Sequence, residues 1–421
     1  MMPKSLQEHL FLKEPKRVLS LDGGGVRGLI TLGMLKHVED TLKERSGRGD
    51  EFRLSDYFDL IGGTSTGALM ATLLALGETV DEITRLYFDM CPRIFRGSSW
   101  IPGIRSKFDP KGFDAVMRHA FAEVLAANRV KPHEPTMDTT LLRTGLAIAT
   151  KRIDTGSVWM LSNNPRHKFW DSTSEPWKDY WAARPDEAKF YAGRSYALRK
   201  VAQASASAPY YLDAVDIDIS PEERGLFFDG GASPCNNPSS ELFIMTTLRR
   251  HARSGQRCHA SPYGFEWSTG ADNLFMLSLG TGMWRDRQDV KNFRKQWAVG
   301  KAIHALRGII SDAETASVVF MQSISESAKG QYINRALEDM QGLRIVDEPL
   351  LTYHRANVRL EPDWLRTTLG EEFAYSSRVI NKLKQMDLAE QANLNRCHAI
   401  GLAYGARSID QQTFPAAFDN F

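Results

Sequence analysis

The chain has 421 residues, 42% of them hydrophobic and 25% charged, which is ordinary globular composition with ample apolar material for a large core. A formal net charge of +2 gives no global electrostatic case for a nucleic-acid partner. No run approaches the ~18 apolar residues that a spanning helix needs. Met1 to Arg17 has no signal-like apolar stretch. Cys91, Cys235, Cys258 and Cys397 lack metal or redox spacing and are expected as free thiols in a reducing, cytoplasmic setting.

In chain order, Arg17 to Asp22 is a short apolar strand, and Leu29 to Arg45 has helical periodicity. Tyr57 to Gly63 is a second buried strand, followed by the apolar helix Ala68 to Gly77. Asp81 is expected to cap the next helix, and Asp109 with Pro110 opens another. Strands follow at Leu141 to Thr150 and Ser157 to Leu161. Then come a helix near Tyr196 to Ala206, the strand Gly225 to Gly230, and a helix beginning near Pro238. Asn273 to Gly282 is one more strand, and the remainder is mostly helical, with a strand candidate at Tyr353 to Leu360. Strands alternating with helices predict an α/β fold of three layers, its mostly parallel sheet covered on both faces. In such sheets, sites form at the carboxyl ends of the strands.

Three glycine-rich turns fall at such ends. The first, "DGGGVRG", contains Gly23-x-Gly25-x-x-Gly28, which matches a dinucleotide-binding fingerprint between a strand and a helix. That reading wants an acidic residue at the end of the second strand. Asp50 and Glu51 have the right separation but precede that strand. The strand ends instead in "GTSTG", in which Gly63 and Gly67 flank Ser65 on a strand-to-helix turn. This is the pattern of a nucleophile elbow, with the helix dipole favouring negative charge at the serine. Acyl transfer also needs oxyanion donors, and the amides of Gly23, Gly24 and Gly25 can converge where a side chain would obstruct. Arg27 adds a cation beside the developing charge or a substrate phosphate.

For a base, His251, His259, His304, His354 and His398 all follow the serine, but none sits on a distinctive strand-end turn. Asp229 does, directly after an apolar strand and before Gly230 and Gly231. A carboxylate of ordinary pKa, about 3.9, is a poor base unless burial or a negative neighbour raises it.

"DGGGVRG", "GTSTG" and "DGG", in this order, resemble the patatin-like phospholipase family. "ASASAPYYL" (Ala204 to Leu212) and "LSLGTG" (Leu277 to Gly282) are similar to that family's intervening stretches. The resemblance covers about Val18 to Gly282. It implies a Ser-Asp dyad without histidine, with Ser65 as nucleophile and Asp229 as base, and an oxyanion hole from Gly23, Gly24, Gly25, Arg27 and Gly28. Gly231 stands where many members have alanine. The implied activity is hydrolysis of fatty-acyl esters of membrane glycerophospholipids, with no metal or other cofactor. Other acyl esters or thioesters, nucleotide binding and a non-catalytic interaction role are the alternatives.

The resemblance also implies peripheral association with a bilayer. Between Cys91 and Phe108, Arg96 and Arg105 lie among Trp100 and Ile101, which suits an anionic lipid surface. An aromatic segment, about 163–193, is expected as a packed insertion, with a lid or partner surface as the alternative. Residues 1–16 are expected as a tail, 17–284 as the catalytic domain and 285–421 as a mainly helical region packed on it. Some family members of this size are bacterial defence effectors switched on by a cyclic nucleotide, so a small-molecule activator is a candidate partner. An oligomer is left open.

Overall fold

The computed structural model describes residues 3–95, 108, 110–127, 134–190, 192–249, 260–285, 291, 294, 297–327 and 329–420. Its strands are β1 (Lys16–Leu21), β2 (Leu60–Thr64), β3 (Gly145–Arg152), β4 (Val158–Ser162), β5 (Val215–Asp218), β6 (Arg224–Asp229), β7 (Leu274–Leu279), β8 (Ser325–Glu326) and β9 (Leu351–Ala356). The helices used below are α1 (Gly28–Ser46), α2 (Thr66–Ala75), α3 (Val80–Ile94), α4 (Pro110–Ala127), α5 (Leu198–Ser205), α6 (Ser239–Thr247), α7 (Ala298–Ser323) and α8 (Gln391–Ser408).

A parallel set, β3-β2-β1-β7-β9-β8, forms the body of one sheet. Residues alternate between its faces as the period of two requires. Leu19 and Leu21 of β1, with Phe275, Leu277 and Leu279 of β7, join one apolar cluster. Val18, Leu274 and Met276 join the cluster on the other face. Helices cover both sides, giving the mostly parallel, three-layer α/β architecture expected from the alternation of elements.

The register of β3 matters most for function. Ala149 pairs with Met160 of β4 on one edge and with Thr64 of β2 on the other. Thr150, the next residue, pairs with Trp159 of β4 and with Asp229 of β6. A strand has two edges, so β6 occupies the edge that β2 leaves when it turns into α2. The last residue of β6 therefore arrives beside the residue that follows β2.

Several local expectations change. The second strand begins at Leu60, because residues 54–57 form a helical turn. α3 is capped by Thr79, whose hydroxyl accepts from the Glu82 amide while the Glu82 carboxylate accepts from the Thr79 amide, a reciprocal capping box. Asp81 lies within the helix and pairs with Lys36 at 3.1 Å. β5 was not anticipated.

Residues after 284 share the core of the rest. β9 lies beside β7 in the sheet, and α8 packs on α1 within the same apolar cluster as β1. The aromatic segment is packed, with Trp170, Trp177 and Trp181 buried. The Trp177 and Trp181 indole N–H groups each donate to a backbone carbonyl at 2.9 Å. Among the described residues, no helix is long and apolar enough to cross a membrane.

Candidate active site

Ser65 follows β2 and precedes α2 with φ 55° and ψ −123°, a left-handed conformation that a non-glycine residue adopts only when its surroundings enforce it. The flanking glycines explain how. A Cβ on Gly63 would lie 2.2 Å from the Gly67 carbonyl oxygen, and one on Gly67 would lie 2.2 Å from the Leu21 carbonyl oxygen. Only bare backbone lets the turn close against itself and against the end of β1. The Ser65 amide, turned away from the helix, donates to Ser205 Oγ at 2.9 Å.

Asp229 ends β6 one register step from Thr64, beside Ser65, and the Ser65 hydroxyl is close enough to oppose the rise in its pKa. Its Oδ1 also accepts from the Gly231 amide at 2.7 Å, and its own amide donates to the Ser207 carbonyl at 3.1 Å. Gly230 lets the chain pass tightly over β3, since a Cβ there would lie 2.5 Å from the Ala149 carbonyl oxygen. Burial pushes the Asp229 carboxyl up to about 7, against the opposing effects of Ser65 and the Gly231 amide. No charged group among the described residues contributes to that shift. Here is the condition that an aspartate base requires.

The glycine loop after β1 faces this pair. A Cβ on Gly23 would lie 3.0 Å from Ser65 Cβ. The amides of the loop are not equivalent. Gly23 donates to the Asn236 carbonyl at 3.1 Å, and Val26 to the Met386 carbonyl at 2.8 Å. The Arg27 amide points back to the Gly24 carbonyl, and the Gly28 amide to carbonyls of Gly25 and Val26. Within the loop, the amides of Gly24 and Gly25 are the ones left without an acceptor among the described residues, and the Thr66 amide beside them, first in α2, has no partner within its helix. Gly25 holds φ +60°, and a Cβ on it would lie 2.1 Å from the Met386 carbonyl oxygen, so only bare backbone fits under that loop.

Arg27 is buried and braces the loop. Its Nε donates to the Gly24 carbonyl at 3.3 Å, its Nη1 reaches the Gly282 carbonyl at 3.4 Å, and its guanidinium lies 4.8 Å from the Trp284 ring centre. Thr281 Oγ1 donates to the Gly23 carbonyl at 2.7 Å. Beneath the loop, Asp22 pairs with Arg355 of β9, which also donates to Ser278 Oγ at 2.8 Å and to Glu314 of α7 at 3.2 Å. Burial alone would lower the Arg355 pKa, and the Asp22 carboxylate outweighs it, so the guanidinium stays charged.

An apolar pocket of about 50 Å³ opens beside Gly25, Ser65 and Thr66, lined by Met90, Cys91 and Ile94 of α3, Phe113 of α4, and Leu212. It is smaller than the ~150 Å³ cavity that takes up a benzene molecule.

Among the described residues, no histidine bonds to Ser65 or Asp229. Burial holds His354 down at about 4, and His398 packs edge-on to Phe88. His251 and His259 lie outside the described residues, as do Cys258 and the four lipid-contact candidates Arg96, Trp100, Ile101 and Arg105. Cys91, Cys235 and Cys397 are buried free thiols. Reading the sequence had singled out neither Ser205 nor Thr281, although both lie in its quoted stretches. Arg355 and Met386 carried no local signal at all.

The fold and this turn define an α/β protein with a serine on a tight strand-to-helix turn, faced by bare amides from the neighbouring strand end. The Patatin-like phospholipase family model matches residues 19–243, more than half of the chain, and the chain belongs to that family. It is 28% identical to the cGAMP-activated phospholipase of Vibrio cholerae serotype O1 over 55% of this chain and 58% of that protein. Patatin group J-1 of Solanum tuberosum is 35% identical over 64% of this chain and 62% of its own. The cUMP-AMP-activated phospholipase of Escherichia coli is 47% identical over 20% of this chain and 23% of its own. The chain therefore spans less than two thirds of the length of these relatives.

Proposed function

We propose that this protein is a lipid acyl hydrolase acting on fatty-acyl esters of glycerophospholipids at a bilayer surface, with Ser65 as nucleophile and Asp229 as base. The observation that carries the reading is the register of β3, which sets the buried Asp229 carboxylate, pushed up to about 7, beside Ser65. A general base works best when its pKa lies near the working pH. Hydrogen bonds in empty catalytic sites are often loose and tighten around substrate, so the register that sets the two residues side by side supports the pair.

In the first half-reaction, Ser65 Oγ attacks the ester carbonyl while Asp229 takes its proton. The oxyanion forms beside the amides of Gly24, Gly25 and Thr66, and Asp229 returns the proton to the departing alcohol as the ester C–O bond breaks. In the second, Asp229 takes a proton from water, which attacks the acyl-serine. Ser65 recovers its proton as the fatty acid leaves. The apolar pocket under Ser65 takes the beginning of the acyl chain. By analogy with the two bacterial relatives named above, a cyclic dinucleotide is the activator class to test.

The test is fatty-acid release from mixed liposomes by wild type, Ser65→Ala and Asp229→Asn, with and without cyclic dinucleotides. Release by wild type alone supports the reading. Turnover of soluble esters or acyl thioesters with none of phospholipid would move the assignment to another acyl substrate, and no Ser65-dependent turnover of any ester would end it.

A further inference from the structure

Ser205 and Ser207, two residues apart at the end of α5, each hold one member of the pair. The Ser205 hydroxyl accepts from the Ser65 amide at 2.9 Å and donates to the Ala149 carbonyl at 2.6 Å. The Ser207 carbonyl accepts from the Asp229 amide at 3.1 Å. Ser205 and Ser207 are fully buried, so water cannot substitute for either contact. Resting on the proposed function, we infer that Ser205 is a positioning residue: its hydroxyl fixes the strained Ser65 backbone at the distance from Asp229 that proton transfer requires.

Three features support this over a packing role. First, the Ser205 hydroxyl has a fixed polarity. Its proton is committed to Ala149, so a lone pair must face Ser65. Second, the amide it accepts belongs to Ser65, which holds a left-handed backbone that its surroundings must enforce. Relaxing that residue swings its side chain. Third, Ala149 is the β3 residue paired with Thr64, one position before the Thr150–Asp229 pair. One hydroxyl thereby ties the nucleophile to the strand that carries its base. Ser207 contributes through its backbone, so Ser205 is the position where a side-chain change can reach the geometry.

The test is Ser205→Ala assayed on a soluble short-chain ester, with the acid limb of kcat/KM followed in wild type and variant. Misplacing a reacting group by about 1 Å costs on the order of a hundredfold, so kcat should fall about tenfold to a hundredfold with KM nearly unchanged. The pH profile separates positioning from folding. The Ser65 hydroxyl lowers the Asp229 pKa. Losing that contact leaves only the Gly231 amide to oppose burial, and the acid limb should move to higher pH. A merely structural loss scales the rate equally at every pH and leaves the limb in place, which would overturn the inference. Should Ser205→Ala fail to fold, Ser205→Cys, with a weaker acceptor in nearly the same shape, carries the same two outcomes. Fluorophosphonate labelling of wild type at Ser65 separates failure of this inference from failure of the proposed function.

Discussion

Asp229 stands on the edge of β3 that β2 vacates at Ser65, so that two residues 164 positions apart in sequence meet where one strand ends and another begins. The pairing of Thr64 with Ala149 and of Asp229 with Thr150 sets them one register step apart. Burial then tunes the carboxylate upward without any charged neighbour among the described residues.

The rate should therefore depend on pH through one buried acid. On the proposed mechanism Asp229 takes the proton only when deprotonated, and its pKa is pushed up to about 7. On a soluble ester, kcat/KM should rise through an acid limb near pH 7 and fall about tenfold for each further pH unit below it. A limb near pH 4 would mean that the carboxylate is solvated during turnover.

The same group makes a stability prediction. A carboxylate whose folded pKa exceeds its unfolded value binds its proton more tightly in the native state. Stability from this site is full below about pH 4 and is lost as pH rises through about 7. Asp229→Asn removes that dependence. The variant should melt above wild type at pH 8 and nearly level with it at pH 4, as read by thermal denaturation at both pH values.

Arg355 joins the C-terminal region to the glycine loop. Arg355→Met leaves the Asp22 carboxylate buried without its cation, and breaking a buried pair in this way costs about 3–5 kcal/mol. Denaturant titration should show a loss of that order. The double variant Asp22→Asn, Arg355→Met should recover much of it, because the carboxylate left without its cation is then only that of Glu314, which is partly exposed. Equal loss in both variants would show that packing, and not charge, sets the cost.

Cys91 lines the pocket beneath Ser65 and is 4% exposed. Cys91→Trp should fill it, at an overpacking cost of about 1–3 kcal/mol. Turnover of long-chain esters should fall at least about tenfold relative to a two-carbon acyl ester, since each excluded methylene gives up about 0.8 kcal/mol of burial. An unchanged chain-length profile would place the acyl chain elsewhere.

Much of this site was legible because its groups lie on short contiguous turns. Gly63, Ser65 and Gly67 declare a tight strand-to-helix turn by composition, and Asp229 declares itself by ending an apolar strand before two glycines. Which amides of the loop stay unengaged was not legible, since Asn236 and Met386 satisfy two of them through backbone carbonyls that no side-chain pattern reveals. Arg355 was invisible for a similar reason: its partner Asp22 is 333 residues away in sequence. Thr79 was passed over as a cap for Asp81, although its Glu82 three residues on is the stronger signal. The strand β5 is only four residues long, and its polar residues give no apolar run to read.

The central claim is most directly tested by labelling with a fluorophosphonate, followed by peptide mapping, at pH 6 and pH 8 in wild type, Ser65→Ala and Asp229→Asn. The account predicts a single adduct on Ser65 in wild type, formed faster at pH 8, abolished in Ser65→Ala and slowed at least about a hundredfold in Asp229→Asn, where its pH dependence disappears. Rapid labelling of Ser65 in Asp229→Asn with the wild-type pH profile, or an adduct on another residue, would contradict it.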